Sequence, residues 1–400
     1  MAWAVTAPLP TPEDETYTLL NISHGYKHGY FRFVPVPVFE SDPASGRRYG
    51  LMPTFLWFDP KDELITILVT AFTYNPQVVK WGGYGGLFIY PSADETLQIY
   101  VQASQNYERD YFIRYDNESW LDGRLDVDTT FEYTRNPFER FFGFGPASAK
   151  ADESNFVSRV ATLQERIAYA VIPHWDVQLE EIWTNVKVEK KALNHLKDTA
   201  ATYGGLPEVG PSDQWNHVFS LVRDTRDNKD MPSTGDYLKP YGLLSHAPMS
   251  GHSFYGGYGL IAKKFFTLAE RFTTVAAFKI DQTFGAKVPF YMQPSLGGGF
   301  DLRGYLARRF TGRGRLLLDL EERILVKRFN LFDVKFDFTI DPFFSVGQVF
   351  DRWAQVHFDN LQPVGGVGFR AKVPTSVVGR VDVGFGKEGP VVFTTLDYPF

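Results

Sequence analysis

The chain has 400 residues, a net charge of -6, no cysteine, and 36 Phe, 21 Tyr, 35 Gly and 25 Pro. This excludes a disulfide framework, thiol chemistry and thiolate metal sites, and the negative balance argues against bulk attraction to nucleic acid or to an anionic membrane surface. Nowhere do about 18 to 20 apolar residues run together as a membrane-spanning helix would require. The aromatic, Gly and Pro content instead feeds strands and turns, and a barrel wall that alternates lipid-facing and lumen-facing residues keeps the mean hydropathy low, here -0.22.

Residues 1–28 are Pro-rich and acidic with a short apolar patch, LLNI, and are expected to form a separate N-terminal segment, a plug or a periplasmic tail. Met1 is followed by AWAVTAPLPTPEDE, which lacks the basic start and apolar core of a signal peptide. The strand-bearing unit is expected over 29–400. Candidate strands begin near residues 29, 47, 63, 82, 95, 109, 123, 155, 174, 214, 236, 252, 271, 314, 331, 363, 377 and 391, eighteen in all. Tight turn signals fall at Phe58–Glu63, Pro91–Glu95, Trp120–Gly123, Ile172–Asp176 and Val373–Ser376, and longer irregular segments at Phe141–Ser154, Lys190–Gln214, Ala286–Gly312 and Val346–Pro363. Short connections on one rim and long ones on the other are the habit of outer-membrane barrels.

The cleanest alternation is Leu331–Asp341, where Phe332, Val334, Phe336, Phe338 and Ile340 interleave with Asp333, Lys335, Asp337, Thr339 and Asp341. Period alone leaves a soluble sandwich and a membrane barrel both open. The last strand favours the barrel: Val392, Thr394, Leu396, Tyr398 and Phe400 share one face and the chain ends on an aromatic, as a C-terminal barrel-strand signal would. Two acids break the apolar faces. Glu165 falls among Leu163, Ile167, Tyr169 and Val171, and Glu322 between Leu320 and Ile324, so each is expected near a rim, beside a bulge or on a strand of different phase.

The segment Ser295–Ile324, SLGGGFDLRGYLARRFTGRGRLLLDLEERI, runs a basic glycine loop into a strand. Leu302, Arg303, Gly304 and Tyr305, preceded by GGG and followed by Glu321, Glu322 and Arg323, resemble the signature loop of the BamA-type superfamily of outer-membrane assembly and secretion barrels, the bacterial surface antigen family. Pro35–Gly46, Phe141–Gly145, Arg223–Gly235 and the C-terminal GRVDVGFGKEGPVVFTTLDYPF resemble family segments in the same order, from about residue 33 to Phe400.

The resemblance implies an all-β transmembrane antiparallel barrel of sixteen strands in the outer membrane of a Gram-negative-type bacterium, without the usual N-terminal POTRA domains. It implies a loop folded inward after the eleventh strand, with Arg303 meeting an acid on the second strand beyond it. The family acid lies in a Phe-x-Asp-x-Gly pattern, which Phe343–Gly347 matches except that Ser345 replaces the carboxylate. Alternation places Asp341, Asp337 and Asp333 on the same face as Ser345, and Glu321, with Arg323, on the inward face of the strand before. Asp341 is therefore the first expected partner of Arg303. An arginine in a partly dehydrated lumen needs carboxylates on its donor fork, and Gly304 permits a backbone that a larger residue would block.

Relatives part the seam between the first and last strands, and Gly384, Gly386 and Gly389 are expected to weaken pairing near it. The function implied is insertion or translocation of proteins, with membrane lipid, unfolded or barrel-forming clients and other assembly subunits as partners; a passive channel or a structural, partner-bound barrel is the alternative. No P-loop, dinucleotide or metal motif is present, so no cofactor, metal or enzymatic activity is expected. Arg308, Arg309, Arg313 and Arg315 lack the stacking surface that nucleic acid binding needs. His252 and Ser253, adjacent on a strand, point to opposite faces and form no dyad.

Overall fold

The computed structural model describes residues 31–61, 63–206, 212–229, 231–249, 253–331, 334–372 and 378–396. Period-two alternation is converted into two walls, one facing the lumen and one facing outward, because successive side chains on a strand point to opposite faces. The first nine strands are β1 (Phe31–Asp42), β2 (Gly46–Phe58), β3 (Leu64–Asn75), β4 (Lys80–Ser92), β5 (Glu95–Ser104), β6 (Arg109–Ser119), β7 (Leu125–Phe141), β8 (Ser154–Ile172) and β9 (Trp175–Glu189). The short β10 (Lys197–Asp198) follows, then β11 (Ser212–Asp224), β12 (Gly235–His246), β13 (Phe254–Ala269) and β14 (Phe272–Ala286). Two short strands, β15 (Ser295–Leu296) and β16 (Phe310–Thr311), precede β17 (Gly314–Leu331), β18 (Val334–Phe350), β19 (Gln362–Lys372), β20 (Val378–Gly386) and β21 (Gly389–Leu396).

Every long strand pairs antiparallel with its neighbours in chain order, with β9 passing directly to β11 and β14 to β17. β1 meets β21 at Ser41–Thr394, which closes the sheet. Among the described residues the barrel wall thus has eighteen strands rather than sixteen; β10 lies outside it, pairing parallel with the start of β8. The loop bearing Arg303 follows the thirteenth wall strand, β14, rather than the eleventh. The alternation in the residues was the better guide to the count than the resemblance, because each hairpin carries its own turn signal and strand period.

Both described ends of the wall, Phe31 and Leu396, lie on one rim, where the connections 93–94, 173–174 and 270–271 are short. The opposite rim carries the long segments 142–153, 190–211, 287–313 and 351–361. The outward positions are apolar and accessible all round the wall: Phe39 on β1, Phe72 on β3, Ile113 on β6, Leu163 on β8, Phe219 on β11, Phe284 on β14, Phe344 on β18 and Phe385 on β20 are each between 46% and 64% exposed. Water would penalise such a ring heavily, whereas hydrocarbon suits it. Among the described residues no helix is long and apolar enough to cross a membrane.

Glu165 and Glu322 keep the outward phase. Glu165 stands in the middle of β8, directly opposite Thr129, away from both rims. Glu322 stands opposite Thr274, three residues before a register shift in the β17–β18 ladder.

Candidate functional site

Between β14 and β17 the chain makes a loop with its own small frame. Ser295 pairs with Thr311 and Leu296 with Phe310. Gly297 and Gly298 turn the chain at φ +112° and +108°, and a Cβ on Gly297 would come within 2.2 Å of the Leu306 carbonyl oxygen, so only glycine closes this turn. Leu302 and Tyr305 are 0% and 1% exposed and pack with Leu296, Phe310, Leu317, Phe343, Val349 and Val364. That apolar cluster ties the loop to β17, β18 and β19 and positions the residue between its two anchors, Arg303.

Arg303 is fully buried. Its Nη1 donates to Glu321 Oε2 at 2.6 Å and lies 3.7 Å from Asp382 Oδ2, while Nη2 donates to Asp319 Oδ1 at 3.4 Å. The guanidinium also stacks 3.7 Å from the Phe343 ring centroid, an attractive placement for a cation that has left water. Burying a lone charge costs several kcal/mol, so the three carboxylates are what make this position tenable.

The same acids are shared. Arg370 Nη1 donates to Asp382 Oδ1 at 2.6 Å and Nη2 to Glu321 Oε2 at 3.3 Å, while its Nε lies 3.4 Å from Asp341 Oδ2. Arg380 Nη1 lies 3.4 Å from Asp382 Oδ2, and Arg323 Nε 3.9 Å from Glu321 Oε1. Ser345 Oγ donates to Asp319 Oδ1 at 2.8 Å, and Ser345 and Asp319 face each other across the β17–β18 ladder. Position 345 carries a hydroxyl, and the carboxylate stands one strand over, at 319.

Of the expected partners, Glu321 makes the shortest contact with Arg303, and Asp341 lies on Arg370. Asp337 does not join this group: it pairs with Arg328 at 3.4 Å and stays part-exposed toward the rim that bears the termini. Arg323 donates to the Pro232 carbonyl of the β11–β12 connection. Sequence reasoning missed Asp319, Asp382, Arg370 and Arg380. Asp319 was within reach of it, standing two residues before Glu321 and so on the same face.

The glycines have a different duty from the one expected. Gly384 and Gly386 lie on β20, one strand in from the seam, under the loop. A Cβ on Gly384 would come within 2.2 Å of the Arg303 carbonyl oxygen, and one on Gly386 within 2.8 Å of the Gly304 carbonyl. One on Gly304 would in turn meet Gly386 N at 2.8 Å. Three glycines therefore let two backbones touch. Gly389 serves the β20–β21 turn at φ +105°. The remaining loop cations are also engaged: Arg309 with Glu388 and the Ser148 carbonyl, Arg315 with Asp281 and Asp301, and Arg308 with the Phe290 carbonyl, while Arg313 donates to the Gly285 carbonyl. Tyr398, Phe400, Asp333, His252 and residues 1–28 lie outside the described residues; Leu396 is the last residue of β21, opposite Gly379.

Beyond β21 the wall changes character. A cavity of about 1550 Å³ is lined on β1–β5 by Val34, Val36, Met52, Ile67, Val69 and Phe88 among others, and nearer the long-loop rim by the ion-paired Glu40, Arg48 and Glu108. Since β1 and β2 are apolar outward as well, at Phe33, Phe39, Leu51 and Phe55, the middle of these two strands is apolar on both faces.

A sequence profile described as the Omp85 superfamily domain matches residues 94–361. No curated protein sequence matches. Among solved structures, BamA from Haemophilus ducreyi lacking POTRA domains 1–3 aligns with a TM-score of 0.53 at 12% identity, over 91% of this chain and 74% of that one. CdiB from Escherichia coli aligns with a TM-score of 0.52 at 10% identity, over 92% of this chain and 64% of that one. At these identities the likeness is one of fold.

Proposed function

This chain belongs to the Omp85 superfamily and is an outer-membrane β-barrel of that type, and from that premise we propose that it inserts polypeptide clients into the outer membrane, or passes them across it, by way of a lateral seam between β1 and β21. In this reading the loop folds into the lumen, Arg303 pins it to β17–β20, and unfolded or barrel-forming clients and membrane lipid are what the barrel works on. The observation that carries the proposal is the burial of Arg303 among Glu321, Asp319 and Asp382, with the loop backbone laid against Gly384. A passive pore has no use for such a fastening across its own channel.

Two features of β1 support the seam. Pro35 faces Pro53 across the β1–β2 ladder. Two prolines can exchange no N–H···O bond, so this is a non-hydrogen-bonded position, and the nitrogens of Pro35 and Pro37 turn to the β21 side without a proton to donate. Proline is tolerated in sheets mainly at such edges. The apolar part of the cavity beside β1, at Val34, Val36, Met52 and Val69, adds a surface whose contacts depend on area and not on orientation.

The absence of cysteine makes the test clean. Ser41→Cys with Thr394→Cys places a disulfide across the closing pair. In proteoliposomes supplied with a urea-unfolded small outer-membrane barrel, the oxidised variant is expected to lose folding-promoting activity and to regain it on reduction. Equal activity in both states contradicts the seam, and steady ion conductance with no effect on client folding favours a passive channel.

A further inference from the structure

A polar row crosses the apolar outer wall. Alternation puts Thr129 between Val127 and Phe131, Glu165 between Leu163 and Ile167, Glu181 between Leu179 and Trp183, and His217 between Trp215 and Phe219. The ladders align them: Thr129 faces Glu165, Glu165 faces Glu181, and Glu181 faces His217. Thr129 Oγ1 donates to Glu165 Oε2 at 2.5 Å. His217 Nδ1 lies 2.7 Å from Glu181 Oε2, and Trp215 Nε1 donates to that oxygen at 2.6 Å. Beyond them His246 Nδ1 lies 3.4 Å from His217 Nε2, with the two rings stacked 5.2 Å apart at 11°.

Lipid offers none of these groups a hydrogen bond, and two carboxylates on neighbouring strands, about 4.8 Å apart by strand spacing, are costly on a hydrocarbon face. We propose that this row is the centre of a two-fold interface with a second copy of the chain in the membrane plane. The acids lie on β8 and β9 and the imidazoles on β11 and β12, so the patch carries its two complementary halves side by side. A two-fold axis along the membrane normal, passing between β9 and β11, lays Glu181 against His217 of the second copy and turns Glu165 toward the β12 strand that bears its His246. Self-complementarity of this kind is what an isologous contact requires. A different protein would need only one of the two halves to be present. Leu163, Ile167, Leu179, Trp183 and Phe219 surround the polar centre with apolar contact, which shields it from competing groups. The inference rests on the membrane barrel and is independent of the client reading.

Single cysteines test it in native membranes. Leu179→Cys, beside the axis, is expected to be cross-linked by a short bismaleimide into a species of twice the chain mass, whereas Leu318→Cys, on β17 four wall strands beyond β11, is not. Adding Glu181→Leu and His217→Leu is expected to abolish the doubled band while the heat-modifiable folded barrel persists; if that variant does not fold, Glu181→Gln with His217→Asn serves in its place with the same expected loss. The proposal is overturned by the absence of a doubled band from Leu179→Cys or by an equal band from Leu318→Cys. It is likewise overturned by cross-linking to a protein of different mass, or by a doubled band that survives loss of Glu181 and His217.

Discussion

On β17–β20 the inward positions carry Asp319, Glu321, Asp341, Arg370, Arg380 and Asp382, whereas on β1–β5 the middle of the wall carries Val34, Val36, Met52, Ile67 and Val69, with the Glu40–Arg48–Glu108 ion pairs toward one rim. The first wall is directional: each arginine has particular oxygens, and a shift of an ångström or two would strand buried charges. The second is non-directional, because apolar contact depends on area rather than on orientation. The loop packs on the first wall; of the two closing strands, β1 belongs to the second wall and β21 is paired with β20 of the first. In the function proposed above, the first wall holds the loop while β1 parts from β21.

Removing the cation should break the rigid wall most. Arg303→Ala takes the arginine from Asp319 and leaves Glu321 and Asp382 to Arg370, Arg380 and Arg323, at an expected cost of about 3–5 kcal/mol, read as a lowered midpoint in urea-dependent unfolding from lipid vesicles. In a double-mutant cycle Glu321→Ala should cost much less in the Arg303→Ala background than alone, since the two share one interaction.

Next comes the carboxylate that has changed strands. Ser345→Asp places a like charge beside Asp319 and should cost on the order of 2 kcal/mol, while adding Asp319→Ser to it should recover most of the loss. Failure of the pair to recover stability would mean that the two ladder-facing positions are not equivalent partners for Arg303. Gly384→Val should cost about 1–3 kcal/mol through overpacking against the Arg303 carbonyl, and proteolysis within 297–309 should become faster than in the parent.

The smallest effect is expected on the apolar wall. Val36→Thr and Val69→Thr line an open cavity and lose no tight neighbour, so each should move stability by about 0.5 kcal/mol or less. A larger loss there, comparable with that of Gly384→Val, would erase the distinction between the walls.

The strand walk was legible because alternation and turn residues are local: eighteen starts read from the residues lie within about three positions of the observed ones, and the resemblance-based sixteen was displaced. Parity also gave the inward face of Glu321, Asp341 and Asp337. It did not give their height along the barrel, which the loop anchors and ladder registers set together, and so Asp337 was grouped with residues from which it lies apart. The glycines mislead for a similar reason. In sequence Gly384 and Gly386 look like weak strand positions, and only the approach of the loop backbone from another part of the chain reveals why no side chain is there. Glu165 stands out in the sequence as an acid on an apolar face, but its neighbours Glu181 and His217 come from strands that only the ladder brings alongside.

The most direct measurement of the central claim, that Arg303 fastens the loop across the lumen, is planar-bilayer conductance of the parent against Arg303→Ala. The parent is predicted to stay closed with brief small openings and the variant to show large, long-lived ones. Identical conductance in the two, with both barrels folded, would contradict it.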